Sequence, residues 1–342
     1  MWVADSWNDY KVIDTDGGEK LEDWGGYKLV RPDPQVIWSE TRDGKWRKIN
    51  AHYHRSSKGG GEWEFFDLPQ EWDISYELGI GEKLTFGLKP FSFKHTGLFP
   101  EQAVNWEWFS KLIKDEVTRR ANSEKTSEVA KKSDNEKGGE VVKGDSCEKT
   151  GEVGKESGSE KGGVSREVKV LNLFAYTGGA TLAAAAAGAH VTHVDASKGM
   201  VNWAKENAAK SGLAKMPIRW LVDDCMKFVQ REIRRGNHYD AIIMDPPSYG
   251  RGPKGEIWKI EEAIFPLVLE CAKLLSEKPL FFLINSYTTG LQPAVLTYML
   301  NLALSKDFGG KIESSEIGLP VEANGLVLPC GASGRWQSTL AK

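Results

Sequence analysis

The stretch 168–188 constrains this chain more than any other. An apolar run with the β-branched Val168 and Val170 passes through Thr177-Gly178-Gly179 into a run of alanines, which reads as strand, tight turn and helix. Glycines at such a turn let the backbone come close to a ligand, and the N–H groups that open the next helix point at the same spot. In dinucleotide-type sites an acid about 20 residues past the turn takes a ribose hydroxyl. Asp195 stands there, closing His190-Val-Thr-His-Val-Asp195.

The same alternation continues beyond it. Strands are expected at 168–174, 190–194, 217–222, 239–244 and 279–285, with helices near 179–187, 198–210, 225–235, 261–275 and 293–304, the signature of a parallel sheet. The tail, 311–337, returns to short strand-like runs broken by Gly and Pro, which predicts an antiparallel hairpin on the sheet's edge.

Before this region lie three others. Residues 1–92 are rich in Trp and Gly and in short alternating runs such as Tyr27-Lys-Leu-Val, Gln35-Val-Ile-Trp, Lys45-Trp-Arg-Lys-Ile, Glu62-Trp-Glu-Phe-Phe and Lys83-Leu-Thr-Phe-Gly-Leu, so a small, mostly β domain is expected. Its Trp24, Trp38, Trp46, Trp63 and Trp72 can either stack on unpaired bases or fill the core of a small sheet. Residues 93–121 read as a connecting loop, with His95, and a helix carrying Trp106, Phe109, Leu112 and Ile113 on one side. A lone loop histidine is more often structural than catalytic. Residues 122–165 are Lys, Glu, Gly, Ser and Asp with no aromatics, and read as a disordered low-complexity insertion.

Composition narrows the function classes. With 342 residues and a net charge of −3, the chain is long enough for two cores and has no basic footprint that alone announces nucleic acid. Cys147, Cys225, Cys271 and Cys330 are widely spaced with no Cys-x-x-Cys pair, so neither a zinc site nor a disulfide frame is indicated and a reducing cytoplasm fits. No apolar run approaches the roughly 18 residues of a membrane span, and the first residues lack the pattern of a leader.

Ligands of open parallel sheets bind beyond the carboxyl ends of the strands. Those ends carry Tyr176 to Gly179, Asp195, Asp223-Asp224, Asp245-Pro-Pro-Ser-Tyr-Gly250 and Asn285-Ser-Tyr-Thr288. One acid after one strand is an N-cap; several in series make a shared site. Together these pieces resemble a class I S-adenosylmethionine-dependent methyltransferase. Asn172-Leu-Phe-Ala-Tyr-Thr-Gly-Gly and Asp-Pro-Pro-Ser-Tyr-Gly, preceded by Thr96-Gly-Leu-Phe-Pro-Glu-Gln102, are similar to the branch that modifies large-subunit ribosomal RNA at cytosine C5 or guanine N7.

The resemblance implies a Rossmann-like sheet over 166–342, with 1–92 helping to recognise the substrate. It implies that Phe174, Ala175, Tyr176, Thr177, Gly178 and Gly179 wrap the methionine end of the cofactor, that Asp195 and Ala196 meet the ribose, and that Asp224 with Cys225 borders the adenine, Asp223 being the rival. Asp245, Pro246, Pro247 and Tyr249 would hold the methyl acceptor, with Asp245 also touching the cofactor. In related loops the aromatic directly follows the prolines, whereas here Ser248 intervenes. Arg251, Ser286 and Tyr287 would meet the substrate, and Arg251 with Lys254 can touch phosphate or sit in a solvated loop. Cytosine-C5 transfer ordinarily needs a thiolate after the fifth strand, where this chain has Ser286-Tyr287, and Cys330 is the only reserve. Transfer to a base nitrogen of ribosomal or other structured RNA is therefore expected, with no metal and no membrane. Rivals are methylation of a protein side chain or small molecule, C5 transfer by an atypical route, a binding protein without catalysis, and a nicotinamide dehydrogenase. The last lacks Gly-x-Gly-x-x-Gly after Phe174.

Overall fold

In the computed structural model, residues 1–40, 42–56, 60–91, 94–136, 167–252 and 255–339 are described. The N-terminal module follows β1 (Trp2–Val3) with β2 (Tyr10–Asp16), β3 (Glu19–Trp24), β4 (Tyr27–Pro32), β5 (Ala51–Arg55) and β6 (Gly61–Phe65), a sheet in that order from β2 to β6. A hairpin of β7 (Trp72–Glu77) and β8 (Lys83–Leu88) follows, then the long helix α1 (Ala103–Glu136). Two expected strands are corrected. Residues 35–38 are irregular, because Pro32 and Pro34 withhold backbone donors just before them. Lys45 to Ile49 begins as a single helical turn, Gly44–Arg47, opened when Asp43 accepts the Lys45 N–H at 2.7 Å. Trp24, Trp46 and Trp72 are core residues, while Trp38 is exposed.

The second half contains β9 (Lys169–Leu173), α2 (Gly179–Ala186), β10 (His190–Asp195), α3 (Lys198–Lys210), β11 (Ile218–Val222), α4 (Cys225–Arg235) and β12 (Ala241–Met244). It continues with the small hairpin β13 (Tyr249–Arg251) and β14 (Ile257–Lys259), then α5 (Ile260–Ala272), β15 (Phe281–Ser286), α6 (Pro293–Leu300), β16 (Lys311–Pro320) and β17 (Val327–Gln337). The sheet order is β1-β16-β17-β15-β12-β9-β10-β11, with parallel pairing from β15 to β11 and antiparallel pairing at β15–β17 and β17–β16. The expected α/β sheet with its hairpin is thus present. The hairpin is not the outermost element, because Trp2 and Val3 pair in parallel beyond it with Ile317 and Gly318. The chain runs outward from β9 to β11 and then returns to the other side of β9, so a switch point opens between β9 and β12.

Two helices fix this point. Helix α2 is built of small residues, which lets it lie close to the sheet with Leu182 to Ala185 wholly buried. Helix α1 turns Trp106, Phe109 and Ile113, spaced three and four apart, into the same core. Truncating one such aromatic to alanine costs about 3–5 kcal/mol. Further along, Arg120 bonds Asp240 at 3.0 Å, and Asp240 accepts the Lys169 N–H at 2.9 Å, tying the helix to the start of β9. The reading of disorder from residue 122 is corrected for its first part: α1 continues to Glu136. That stretch is made mostly of Glu, Lys and Ser, with neither Gly nor Pro before Gly138. The rest of the insertion, with Cys147, lies outside the described residues.

Candidate functional site

A cavity of about 830 Å³ opens at the switch point, at the upper end of the range of ligand pockets. Its first wall is the turn after β9. Phe174 and Tyr176 hold φ of 54° and 49°, a left-handed conformation that costs a non-glycine residue on the order of 1–3 kcal/mol. What holds them is Asp195, whose Oδ2 accepts the Tyr176 N–H and whose Oδ1 accepts the Ser197 N–H, both at 2.8 Å. Each carboxylate oxygen keeps a further lone pair for a hydroxyl. Gly178 (φ 91°) caps α2, and a Cβ on Gly179 would come within 2.7 Å of Trp106.

Phe174, Ala175, Tyr176, Thr177, Gly179, Asp195, Ala196, Asp224 and Cys225 all line the cavity. Gly178 lies behind the wall and shapes it. Asp224 caps α4 by accepting the Lys227 N–H at 2.9 Å, whereas Asp223 pairs with Arg231 and is not in the wall.

The opposite wall starts at Asp245. Asp245, Pro246 and Pro247 line the cavity, with Ser248 and Arg251. Burial, then the charge of Glu101, raises the Asp245 carboxyl to about 7. Tyr249 is corrected: it is 55% exposed and outside the wall. The extra Ser248, whose Oγ bonds Thr288 Oγ1 at 2.6 Å, shifts the alternation of the β13–β14 hairpin so that Tyr249 faces solvent. Its place is taken by Trp258, which donates to the Pro247 carbonyl at 2.6 Å, rests against Phe174 and lines the cavity. Ser286 is corrected likewise: it is buried outside the wall and accepts the Thr288 N–H at 3.2 Å. Tyr287 does line the cavity; Lys254 lies outside the described residues.

Further groups line the cavity, Glu101 and Gln102 among them with no role assigned by the sequence. Glu101 and Gln102 follow Pro100 into the cavity, and Gln102 donates to the Tyr287 hydroxyl at 2.7 Å. A buried amide network steadies that contact: Asn105 bonds Gln102, Asn285 and Ser333, and Arg335 grips Asn105 Oδ1 at 2.7 Å. His95 also lines the cavity, and burial followed by the Arg31 charge lowers its imidazole to about 4, so it is neutral. Cys330 is in the wall too, its thiol pushed far up by burial and then by Glu101. From the N-terminal module come Lys20, Arg31 and Asp33. The module is moored to the turn through α3: Gly87 N–H donates to Asn207 Oδ1 at 2.9 Å, and Asn207 Nδ2 to the Thr177 carbonyl at 3.0 Å. Elsewhere, on the N-terminal sheet, His52, His54 and Glu64 bring ligand atoms within 4.8 Å, and His52 and His54 bond Glu19 and Glu64.

Comparison with known proteins bears on this geometry. A family profile described as S-adenosylmethionine-dependent methyltransferase matches residues 158–259. Curated relatives named Ribosomal RNA large subunit methyltransferase K/L include that of Shewanella frigidimarina, 37% identical over 109 residues, or 31% of this chain and 15% of the relative. That of Pseudoalteromonas atlantica is 38% identical over 112 residues, or 32% of this chain and 15% of the relative. The match therefore spans about 15% of the length of these curated relatives. A methyltransferase structure from Streptococcus mutans, at 16% identity and a TM-score of 0.60 over 97% of this chain and 76% of its own, shares the fold. The crystal structure of the SAM-dependent methyltransferase from Agrobacterium tumefaciens is 33% identical, with a TM-score of 0.78, over 98% of this chain and 93% of its own. A likeness of that extent, over both the N-terminal module and a sheet whose switch point carries the glycine turn and its acids, places this chain in the S-adenosylmethionine-dependent methyltransferase family.

Proposed function

We propose that this enzyme methylates a base nitrogen of ribosomal or other structured RNA in the cytoplasm. S-adenosylmethionine supplies an activated methyl group on a sulfonium. The chain's own residues suit it: the turn 174–179 offers close backbone approach, Asp195 retains lone pairs for the two ribose hydroxyls, and Asp224 with the Cys225 backbone borders the adenine edge. Beyond them, Pro246 and Pro247 hold the loop rigid, and their carbonyls and the Asp245 carboxylate accept hydrogen bonds from an acceptor nitrogen. Trp258 provides a ring face for a planar base, and Arg251 stands at the cavity wall where a phosphate would pass. The exposed Phe65 and Phe66, beside Trp63, are a further stacking surface on the N-terminal module.

The observation that carries the choice of nitrogen is the chemistry of the cavity wall. C5 transfer needs a thiolate, and both lining thiols, Cys225 and Cys330, are driven toward their neutral forms, first by burial. An in-line transfer to a nitrogen lone pair asks only for positioning and a hydrogen-bond acceptor. The names of the curated relatives support RNA as the acceptor class.

The test is transfer of labelled methyl groups to total RNA and to protein extract from cells lacking this gene, followed by nucleoside analysis. Label in ribosomal RNA as an N-methylated base is expected. 5-Methylcytosine would overturn the nitrogen, and label confined to protein or small molecules would overturn RNA.

A further inference from the structure

We propose that Glu101 pairs with Asp245 as a carboxylate dyad facing the methyl acceptor, and that the acceptor the dyad selects is an uncharged ring bearing N–H or amino hydrogens. This deepens the nitrogen reading above and rests on it.

Both residues line the same cavity, and Glu101 is only 6% exposed. Pro100 fixes the turn that aims it there, and the Tyr287 hydroxyl, itself held by Gln102, hydrogen-bonds its carboxylate. Among the described residues neither carboxylate has an ion-pair partner. The cations whose charge reaches Glu101, Lys20 and then Arg31, are engaged by other acids: Arg31 is bidentate to Glu22 at 2.6 and 2.8 Å, and Lys20 lies 3.4 Å from Glu22 and 3.3 Å from Asp33. Around the pair stand Tyr287 after β15, Cys330 on the C-terminal hairpin, Lys20, Arg31 and Tyr10 from the N-terminal sheet, and Lys94, His95 and Arg251 elsewhere in the wall or its approach. Burial comes first on Asp245, and the Glu101 charge raises it further; on Glu101 burial again leads, opposed by Lys20, the Tyr287 hydroxyl and Arg31. A buried carboxylate without a cation is completed by neutral N–H donors, which satisfy its lone pairs.

The pair also has a place for a proton. The acceptor nitrogen's lone pair forms the N–CH₃ bond as the C–S bond breaks with its electrons staying on sulfur. Where that nitrogen bore a hydrogen, its proton leaves for the Asp245 carboxylate and passes through the dyad to water. Where it bore none, the ionised member offsets the new positive charge.

The deciding experiment follows the ¹³C-carboxyl signal of labelled aspartate in the full chain without RNA, with Asp245 assigned by its loss in Asp245→Asn. In Glu101→Gln the Asp245 midpoint should fall by at least about one pH unit, since the like charge is gone. Tyr287→Phe should move it the same way by less, because Glu101 loses the hydrogen bond that favours its charge. An unmoved midpoint in both variants would overturn the dyad, and Tyr287→Phe decides alone if Glu101→Gln does not fold. In turnover with RNA, the acid limb of the kcat/KM profile should shift down with the midpoint in Glu101→Gln; a lower rate at an unchanged limb would reduce Glu101 to a structural part. Because the titration needs no substrate, failure of wild-type enzyme to methylate RNA would sink the RNA reading and leave the dyad's titration decided separately.

Discussion

The two walls of the cavity are made differently. The cofactor wall comes from consecutive strand ends of one sheet, with its contacts supplied by backbone groups and by carboxylates already engaged with backbone N–H donors. The wall proposed for the acceptor is assembled from segments far apart in sequence, around 20–35, 94–102, 245–252, 258, 285–287 and 330. The first is a property of the fold and tolerates little change. The second is set by individual side chains, which can change without changing the fold.

This contrast breaks if a change in one wall disturbs the other's task. The largest separation is expected for Asp195→Ala. It removes a charged acceptor of two hydroxyls, at about 1.5–3 kcal/mol per bond, and the support of a strained turn, so cofactor affinity by calorimetry should drop at least about a hundredfold. Unchanged affinity would end the ribose assignment. Asp245→Ala should lower turnover by roughly 10²–10⁴ while cofactor affinity shifts by no more than about threefold. Lost affinity would move Asp245 to the cofactor wall.

A stability measurement sharpens the same point. The folded Asp245 carboxyl sits near 7 against an ordinary 3.8. A group raised in this way stabilises the fold in its protonated form below the ordinary value, and that contribution is lost as pH rises through the folded one. Cofactor-free Asp245→Asn should thus be more stable than wild type at pH 8 by on the order of 2–4 kcal/mol, with the advantage shrinking toward pH 4. An equal difference at both ends by chemical denaturation would show that Asp245 is ordinary in its titration. The smallest effects concern the rings. Trp258→Ala should raise KM for RNA about tenfold, in line with roughly 1–3 kcal/mol for a stacked base, whereas Tyr249→Ala should stay near wild type. The reverse order would restore Tyr249 as the stacking residue.

The same contrast explains what could be read from the sequence. The turn at 174–179 and Asp195 are legible because glycine, strand period and spacing converge on one short stretch. The parallel strands and their helices from 168 onward are legible for that reason, to within a few residues, whereas the hairpin β13–β14 is not. Trp258 was not legible, since its arrival in the wall depends on Ser248 shifting a hairpin's alternation. Glu101 stands inside a quoted motif, yet nothing in a sequence tells that Arg31 and Lys20, whose charges reach it, are bound to Glu22 and Asp33. The amide network from Gln102 to Arg335 joins residues more than two hundred positions apart, each unremarked by itself. In the N-terminal module the alternating runs were weaker guides, because a short twisted sheet fills its core with tryptophans from turns as readily as from strands.

The pairing of Trp2 with Ile317 has a consequence for synthesis. Closing a loop of that length is entropically slow, so β1 can only dock after β16 and β17 have emerged and paired. Arg335, whose guanidinium lies 3.8 Å from the centre of the Trp2 ring, also bonds Asn105 in the network behind the acceptor wall. The turn after β9 therefore depends on strands made together, whereas the hairpin that carries Cys330 and Arg335 is joined by a strand made about three hundred residues before it.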